Sequence, residues 1–267
     1  MPVRSGGRGR MAGSRAGDYP GKQVEFVGNG WEGVFMSSDR HPLDNPVWAS
    51  LTGGHARFAE RLGRVLRYPA DVSPFLALEG EPGPQDWADA AALAGPGGMV
   101  PLAGVDAAPP VGWGEPMTLE GVQMSGEDVM GAEWEEPVRL GRADVPEMLE
   151  LVARTQPGPF LTRTVELGTY LGVRRGGALV AMAGERLHPT GWTEISAVCT
   201  DPEHRGQGLA GRLVLAVAAG IRARGETPFL HTTADNVGAI RLYQTLGFRL
   251  RRTMSFRVVQ VPAEVPV

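Results

Sequence analysis

From position 137 onward the apolar residues switch repeatedly between a period of two and a period near 3.6, the marks of strands and amphipathic helices. "PVRL" at 137–140 reads as a short strand. "ADVPEMLELVAR" at 143–154 reads as a helix with Asp144 as its cap and Pro146 in its first turn. After a second short helix come "TYLGVRR", a Gly-Gly turn and "ALVAMAGERL", together a β-hairpin over 169–187. In the next strand, "TEISAVCT" at 193–200, Glu194, Ser196, Val198 and Thr200 should share one face, with Ile195, Ala197 and Cys199 on the other. A helix over 208–223 follows, with Leu209, Leu213, Val217 and Ile221 on one stripe. "PFLHTT" at 228–233 is a strand, 236–246 a helix stopped by Gly247, and 248–260 closes with strand character. The order β-α-α-β-β-β-α-β-α-β-β predicts an α/β domain over 136–260.

Upstream the pattern is coarser. Trp48, Leu51, Phe58, Leu62 and Val65 fall at helical spacing and predict a helix over 46–66. A strand at 74–79, a helix at 85–94 and a strand near 117–123 follow, so 41–135 reads as a smaller α/β region. Residues 1–20, rich in Gly and Arg, read as a flexible tail within a lead-in that runs to 40. Met1 and Met11 both qualify as the native start, and 261–267 reads as a short C-terminal tail.

Composition narrows the function classes. The 267 residues are 42% hydrophobic, enough for a real core. One cysteine, Cys199, excludes an intramolecular disulfide framework and a cysteine-rich metal site, and fits a reducing, cytoplasmic setting. No apolar run approaches the roughly 20 residues that span a bilayer, and no signal-peptide pattern follows the N-terminal arginines. Lys22 is the only lysine beside many arginines, a coding bias that points to a bacterial source. The net charge of −4 hides an asymmetry: 10 basic and 19 acidic residues precede position 137, against 16 and 10 between 137 and 260. A positive second half can attract an anionic ligand. No dense basic run indicates nucleic acid.

The chemistry concentrates in "VCTDPEHRGQGLAG", 198–211, which contains Gly206-x-Gly208-x-x-Gly211. This spells a dinucleotide fingerprint, and Glu226 lies where that motif wants an acid. The context opposes that reading. Five residues, "DPEHR", separate Thr200 from Gly206, an antiparallel hairpin precedes the loop, and too little chain follows for a long parallel sheet. What survives is an anion cradle, in which a helix N-terminus offers free N–H groups and glycines let a phosphate approach them.

The same run resembles the acyl-CoA-binding motif of the GNAT-superfamily N-acetyltransferases, Arg/Gln-x-x-Gly-x-Gly/Ala, with Arg205, Gly208 and Ala210 in its three places. Downstream, "NVGAIRLYQTLGF" matches the second signature of that family through Asn236, Ala239, Leu242, Tyr243, Gly247 and Phe248. The resemblance covers 137–260 and implies a mixed, mostly antiparallel sheet flanked by helices. The upstream region reads as a degenerate copy of the same fold.

It also implies acetyl-CoA as cosubstrate, no metal, and direct attack by an amine in a ternary complex. The backbone from Gly206 through Gln207, Gly208, Leu209 and Ala210 to Gly211 would cradle the pyrophosphate, with Arg205 adding charge or serving structurally. Strand 192–200 would splay from its neighbour, so that Val198, Cys199 and Thr200 meet the pantetheine arm through backbone atoms and the N–H near Val198 polarises the thioester. Asn236 would cap the last helix and touch the cofactor, and Tyr243 would be the general acid. Glu194 is the candidate general base, ahead of His204, His231 and Glu185. Cys199 reads as a packed residue rather than a nucleophile. The acceptor, a small molecule, peptide N-terminus or lysine, would be set by 154–168 and the final hairpin. A CoA-binding module without transfer activity and a nicotinamide-dependent oxidoreductase are the alternatives.

Overall fold

The computed structural model describes residues 41–105 and 107–263; the expected lead-in at 1–40, Met11 and the last four residues lie outside them. Eight strands form one sheet in the order β4-β11-β5-β10-β9-β8-β7-β6. They are β4 (Met99–Ala103), β5 (Gly114–Ser125), β6 (Val138–Leu140), β7 (Tyr170–Arg175), β8 (Ala178–Glu185), β9 (Trp192–Thr200), β10 (Thr227–Thr233) and β11 (Arg249–Gln260). Every neighbouring pair is antiparallel except β9 with β10. A three-stranded antiparallel sheet, β1 (Glu60–Leu62), β2 (Val65–Arg67) and β3 (Leu76–Leu78), precedes it.

The helices cover the large sheet as their stripes dictate. The apolar stripe of α4 (Leu209–Ala223) buries Leu209, Leu213, Val217 and Ile221 against Ile195, Leu230, Val180 and Phe248. Each such side chain contributes roughly 1.5–3 kcal/mol before chain entropy is set against it. On another cluster, α3 (Val145–Thr155) packs Met148 and Leu151 with Tyr170, Met182, Ala197 and Cys199. The upstream region contributes α1 (Pro46–Leu51), whose Val47 and Leu51 meet Tyr68, Phe229 and Met254, and α2 (Pro84–Ala94), whose Trp87 and Ala90 meet Val100 and Val259. α5 (Val237–Thr245) completes the set.

Four details depart from the reading of the sequence. The helix expected over 46–66 stops at Leu51, followed by a 3-10 turn and the β1–β2 hairpin. Gly53 and Gly54 interrupt it, and Gly54 lies so close to His188 that a Cβ there would stand 2.9 Å from the His188 Cβ. Gly63, at φ 54°, makes the hairpin turn between Leu62 and Val65. Asp144 does not cap α3; its carboxylate accepts from Gly141 N at 2.9 Å and from Arg174 at 2.7 Å, closing the turn before the helix.

The upstream region also does not keep its strands to itself. β5 lies between β10 and β11, and β4 extends the sheet beyond β11, so a division at 136 falls within one shared sheet. The remaining departure is in β9. Ala197 has φ 52°, and the β8–β9 register shifts between the pairs Met182/Cys199 and Gly184/Ser196. This bulge breaks the alternation expected for β9. Ile195 packs with the α4 cluster, while Ala197 and Cys199 pack with the α3 cluster.

Candidate active site

The parallel pairing of β9 and β10 begins at Trp192/Thr227 and ends at Ile195/Leu230. Beyond that point Ser196–Thr200 keeps β8 on one side and loses its strand neighbour on the other. A cleft of about 400 Å³ opens there, and the free end of β9, Val198 to Thr200, forms one wall. The opening of α4 forms another, through Arg205, Gly206 and Gly208–Gly211, and α5 closes the space with Asn236, Ala239, Leu242 and Tyr243. The end of α3, Thr155 to Pro157, lines it as well. Eleven of the thirteen site residues picked from the sequence thus meet at one place. Gln207 is exposed and does not line the cleft, and neither does Glu194.

The glycine loop is built for conformation rather than for space. Gly206 and Gly208 have φ 78° and 72°, yet a Cβ at either would meet nothing within 4 Å. A left-handed residue bearing a side chain costs roughly 1–2 kcal/mol, so glycine sets the turn that leads into α4. The first intrahelical bond, Arg212 N to Gly208 O at 3.1 Å, leaves the N–H groups of Leu209, Ala210 and Gly211 without helical acceptors. They form the positive end of the helix dipole at the cleft. Gly211 has a separate job. Its Cβ position lies 3.3 Å from Leu242 Cδ1, which lets α5 close against α4. Arg205 remains exposed, with Nε 3.4 Å from the Thr200 carbonyl.

Tyr243 is 7% exposed, packs edge-on to Phe248, and has its phenol pushed up to about 12 by burial. No hydrogen bond to its hydroxyl is found among the described residues. Asn236 accepts from Ala239 N at 3.2 Å and so caps α5. Cys199 is buried, and burial pushes its thiol up to about 11, so it is no thiolate at neutral pH.

The proposed base needs correction. Glu194 is fully buried; Arg186 donates to both its oxygens, at 2.8 and 2.6 Å, and His231 Nδ1 lies 2.7 Å away. Burial alone would raise its pKa, but the Arg186 charge and the His231 contact outweigh that and hold the carboxyl below the usual range. A carboxylate so stabilised is a poor proton acceptor, and it serves to position its partners.

His231 is the first β10 residue past the fork. Gln123 of β5 donates to the Leu43 carbonyl at 2.9 Å and accepts from Arg251 at 2.7 Å, which orients its amide N–H₂ towards His231 Nε2 at 3.0 Å. His231 therefore donates from Nδ1 and keeps its lone pair on Nε2. Glu194 and His231 were each noticed in the sequence, but nothing there joined them to each other or to Gln123, which lies in the region without motifs.

The dinucleotide reading fails on topology: one parallel pair in an antiparallel sheet is not the βαβ frame that it requires. Among the described residues no group of three or more His, Cys, Asp or Glu is placed to hold a metal, and no helix is long and apolar enough to cross a membrane.

The family model for FR47-like proteins matches residues 170–258. Over 128 residues the chain is 34% identical to the N-alpha-acetyltransferase RimI of Mycobacterium tuberculosis, which covers 43% of this chain and 80% of that protein. It is 36% identical over 119 residues to the mycothiol acetyltransferase of Thermobispora bispora, covering 40% of this chain and 38% of that one. A solved structure of an acetyltransferase from the GNAT family of Novosphingobium aromaticivorans superposes with a TM-score of 0.76 at 41% identity. That likeness covers 82% of this chain and 98% of the other, and so includes part of the upstream region.

Proposed function

The chain belongs to the GNAT family of acetyltransferases, and we propose that it transfers an acetyl group from acetyl-CoA to a primary amine by direct attack within a ternary complex. The observation that carries this reading is the cleft at the β9–β10 fork, where a left-handed glycine loop, a free strand end and a buried phenol meet. The residues present fit CoA: the open space around Gly206 and Gly208 gives a phosphate access to the α4 amides. Leu209, Ala210 and Gly211 hold the pyrophosphate by their N–H groups, and Arg205 adds charge at the rim. Val198, past the bulge, polarises the thioester carbonyl through its amide.

When bound, acetyl-CoA supplies the acyl group. The amine nitrogen forms a bond to the carbonyl carbon as the C–S bond breaks, Tyr243 gives its proton to the departing sulfur, and the ammonium proton passes to water in the cleft. Glu194 and Gln123 hold the His231 ring between them at the base of the fork. Residues 136–260 form the catalytic part, completed by β4 and β5 of the upstream region, and a reducing cytoplasm suits the single thiol. The named relatives support a peptide α-amine and a small molecule as acceptor classes. The test is a panel of peptides and small amines with the full chain and acetyl-CoA, reading released thiol. Binding of CoA and thiol release with at least one amine class is expected; no CoA binding at all would overturn the proposal.

A further inference from the structure

Beside the fork, one face of the sheet is apolar and open to solvent. β5 runs on past the end of β10: their pairing stops at Gly121 and Thr233, while β5 stays paired with β11 back to Gly114. In this ribbon the cross-strand partners Leu119/Phe256 and Met117/Val258 share one face, and Thr118/Arg257 and Glu120/Ser255 share the other. The second face is polar, as contact with water favours. The first is not: Leu119 is 42% and Met117 44% exposed, with Phe256 and Val258 partly buried beside them. Apolar side chains gathered in one exposed strip, unlike single scattered ones, mark a binding surface.

The strip begins at the fork. Phe256 packs edge-on to His231 at 5.8 Å between centroids, and Gly121 makes room for it, since a Cβ there would lie 2.5 Å from Phe256 Cε2. His231 alternates with Leu230, which packs with α4 and Tyr243, so the strip lies on the sheet face away from α4 and α5. With the cofactor held by α4 and α5, that face is left for the acceptor. Val198 and Thr233 are each three residues past the last β9–β10 pair, Ile195/Leu230, so Gly121, opposite Thr233, stands level with Val198. Leu119 and Met117 lie about 7 and 13 Å further out. Their two-residue spacing is that of side chains on one face of an extended peptide.

We propose that this strip receives the acceptor as an extended peptide, its α-amine at the fork and apolar side chains at alternate positions lying on Phe256 with Leu119 and on Val258 with Met117. This rests on the acetyltransferase reading and narrows its acceptor to a peptide α-amine followed by apolar residues. A small amine held at the fork is too short to cover the strip. Met117 and Leu119 lie outside the residues 170–258 matched by the family model, so the upstream region supplies this preference.

The test uses the full chain, acetyl-CoA and synthetic hexapeptides with a free α-amine, carrying leucine at odd or at even positions and serine elsewhere, against an all-serine peptide, with released thiol as the readout. One of the two leucine registers should exceed the all-serine peptide by about tenfold or more in kcat/KM. Leu119→Asn and Met117→Asn should each raise KM for that peptide by about threefold to tenfold, the worth of a partly buried apolar contact, and leave CoA affinity by calorimetry unchanged. Both side chains are exposed, so ligand-free melting temperatures should match the parent's. Equal kcat/KM for leucine and serine peptides would overturn the inference, as would unchanged KM in both variants or transfer to small amines alone. A dimer in sedimentation that the Asn variants dissolve would also overturn it and assign the strip to a second copy of the chain. A parent that binds no CoA would instead overturn the acetyl-CoA reading, and the peptide inference with it.

Discussion

Removing one oxygen tests the role of Tyr243. Tyr243→Phe deletes the hydroxyl and keeps the ring that packs on Phe248 at 6.1 Å between centroids. The hydroxyl has no hydrogen-bond partner among the described residues, so folding loses no bond. The hydroxyl is not among the buried unpaired groups of the described residues, so the change should be neutral within about 1 kcal/mol. Affinity for CoA should stay within about twofold, since the phosphates and arm are held elsewhere. Turnover should fall on the order of 10²–10⁴-fold, the usual contribution of a positioned acid. Burial keeps the phenol neutral, with a pKa pushed up to about 12, so the donor form persists through the alkaline range and Tyr243 should add no falling limb below about pH 11. Thiol release against pH, calorimetry with CoA and a thermal melt measure the three quantities. Turnover within threefold of the parent would refute the acid role. A lower melting temperature with a proportionate loss of activity would make Tyr243 a packing residue.

Three further outcomes follow from buried groups. Glu194→Gln leaves Arg186 as an unbalanced buried charge and should destabilise the fold by about 3–5 kcal/mol in urea titration; a stable variant with only an altered pH–rate profile would restore Glu194 as the base. Gly184→Ala places a methyl inside the Tyr170 ring and should cost at least about 1–3 kcal/mol, so an unchanged urea midpoint would contradict the packing. His55 and His188 stack 4.6 Å apart, and burial lowers their pKa values to about 3 and about 4 from an ordinary 6.5. The unfolded chain then binds more protons than the native one. Stability is full above about pH 6.5 and declines as pH falls towards the folded values, at about 3 kcal/mol per pH unit for the two together near pH 5. Equal urea midpoints at about pH 7 and 5 would count against it.

Apolar period with caps and turns located the strands and α-helices from 137 to 260, because each buries one face and its spacing records which, while the 3-10 turn Pro202–His204 and the β9 bulge left no such mark. Local chemistry located the loop and α5, because an anion cradle and a helix cap are made of neighbours in sequence. The upstream region was less legible. Its apolar positions from 48 to 65 fit a helix, and only the glycines at 53, 54 and 63 show why the chain turns instead. Tertiary structure alone decided three things. Ala197 takes a left-handed conformation that its residue type does not favour, held there by pairing with β8 on one side of the fork. Glu194 is sealed between Arg186 and His231, contacts that cross from strand to strand and that no local spacing encodes. Gln123 reaches the site because β5 inserts between β10 and β11, a pairing made by hydrogen bonds between segments about a hundred residues apart. The sequence by itself determined the elements and the glycine loop, whose causes are local; packing decided that Glu194 is buried and paired, because its partners come from distant segments.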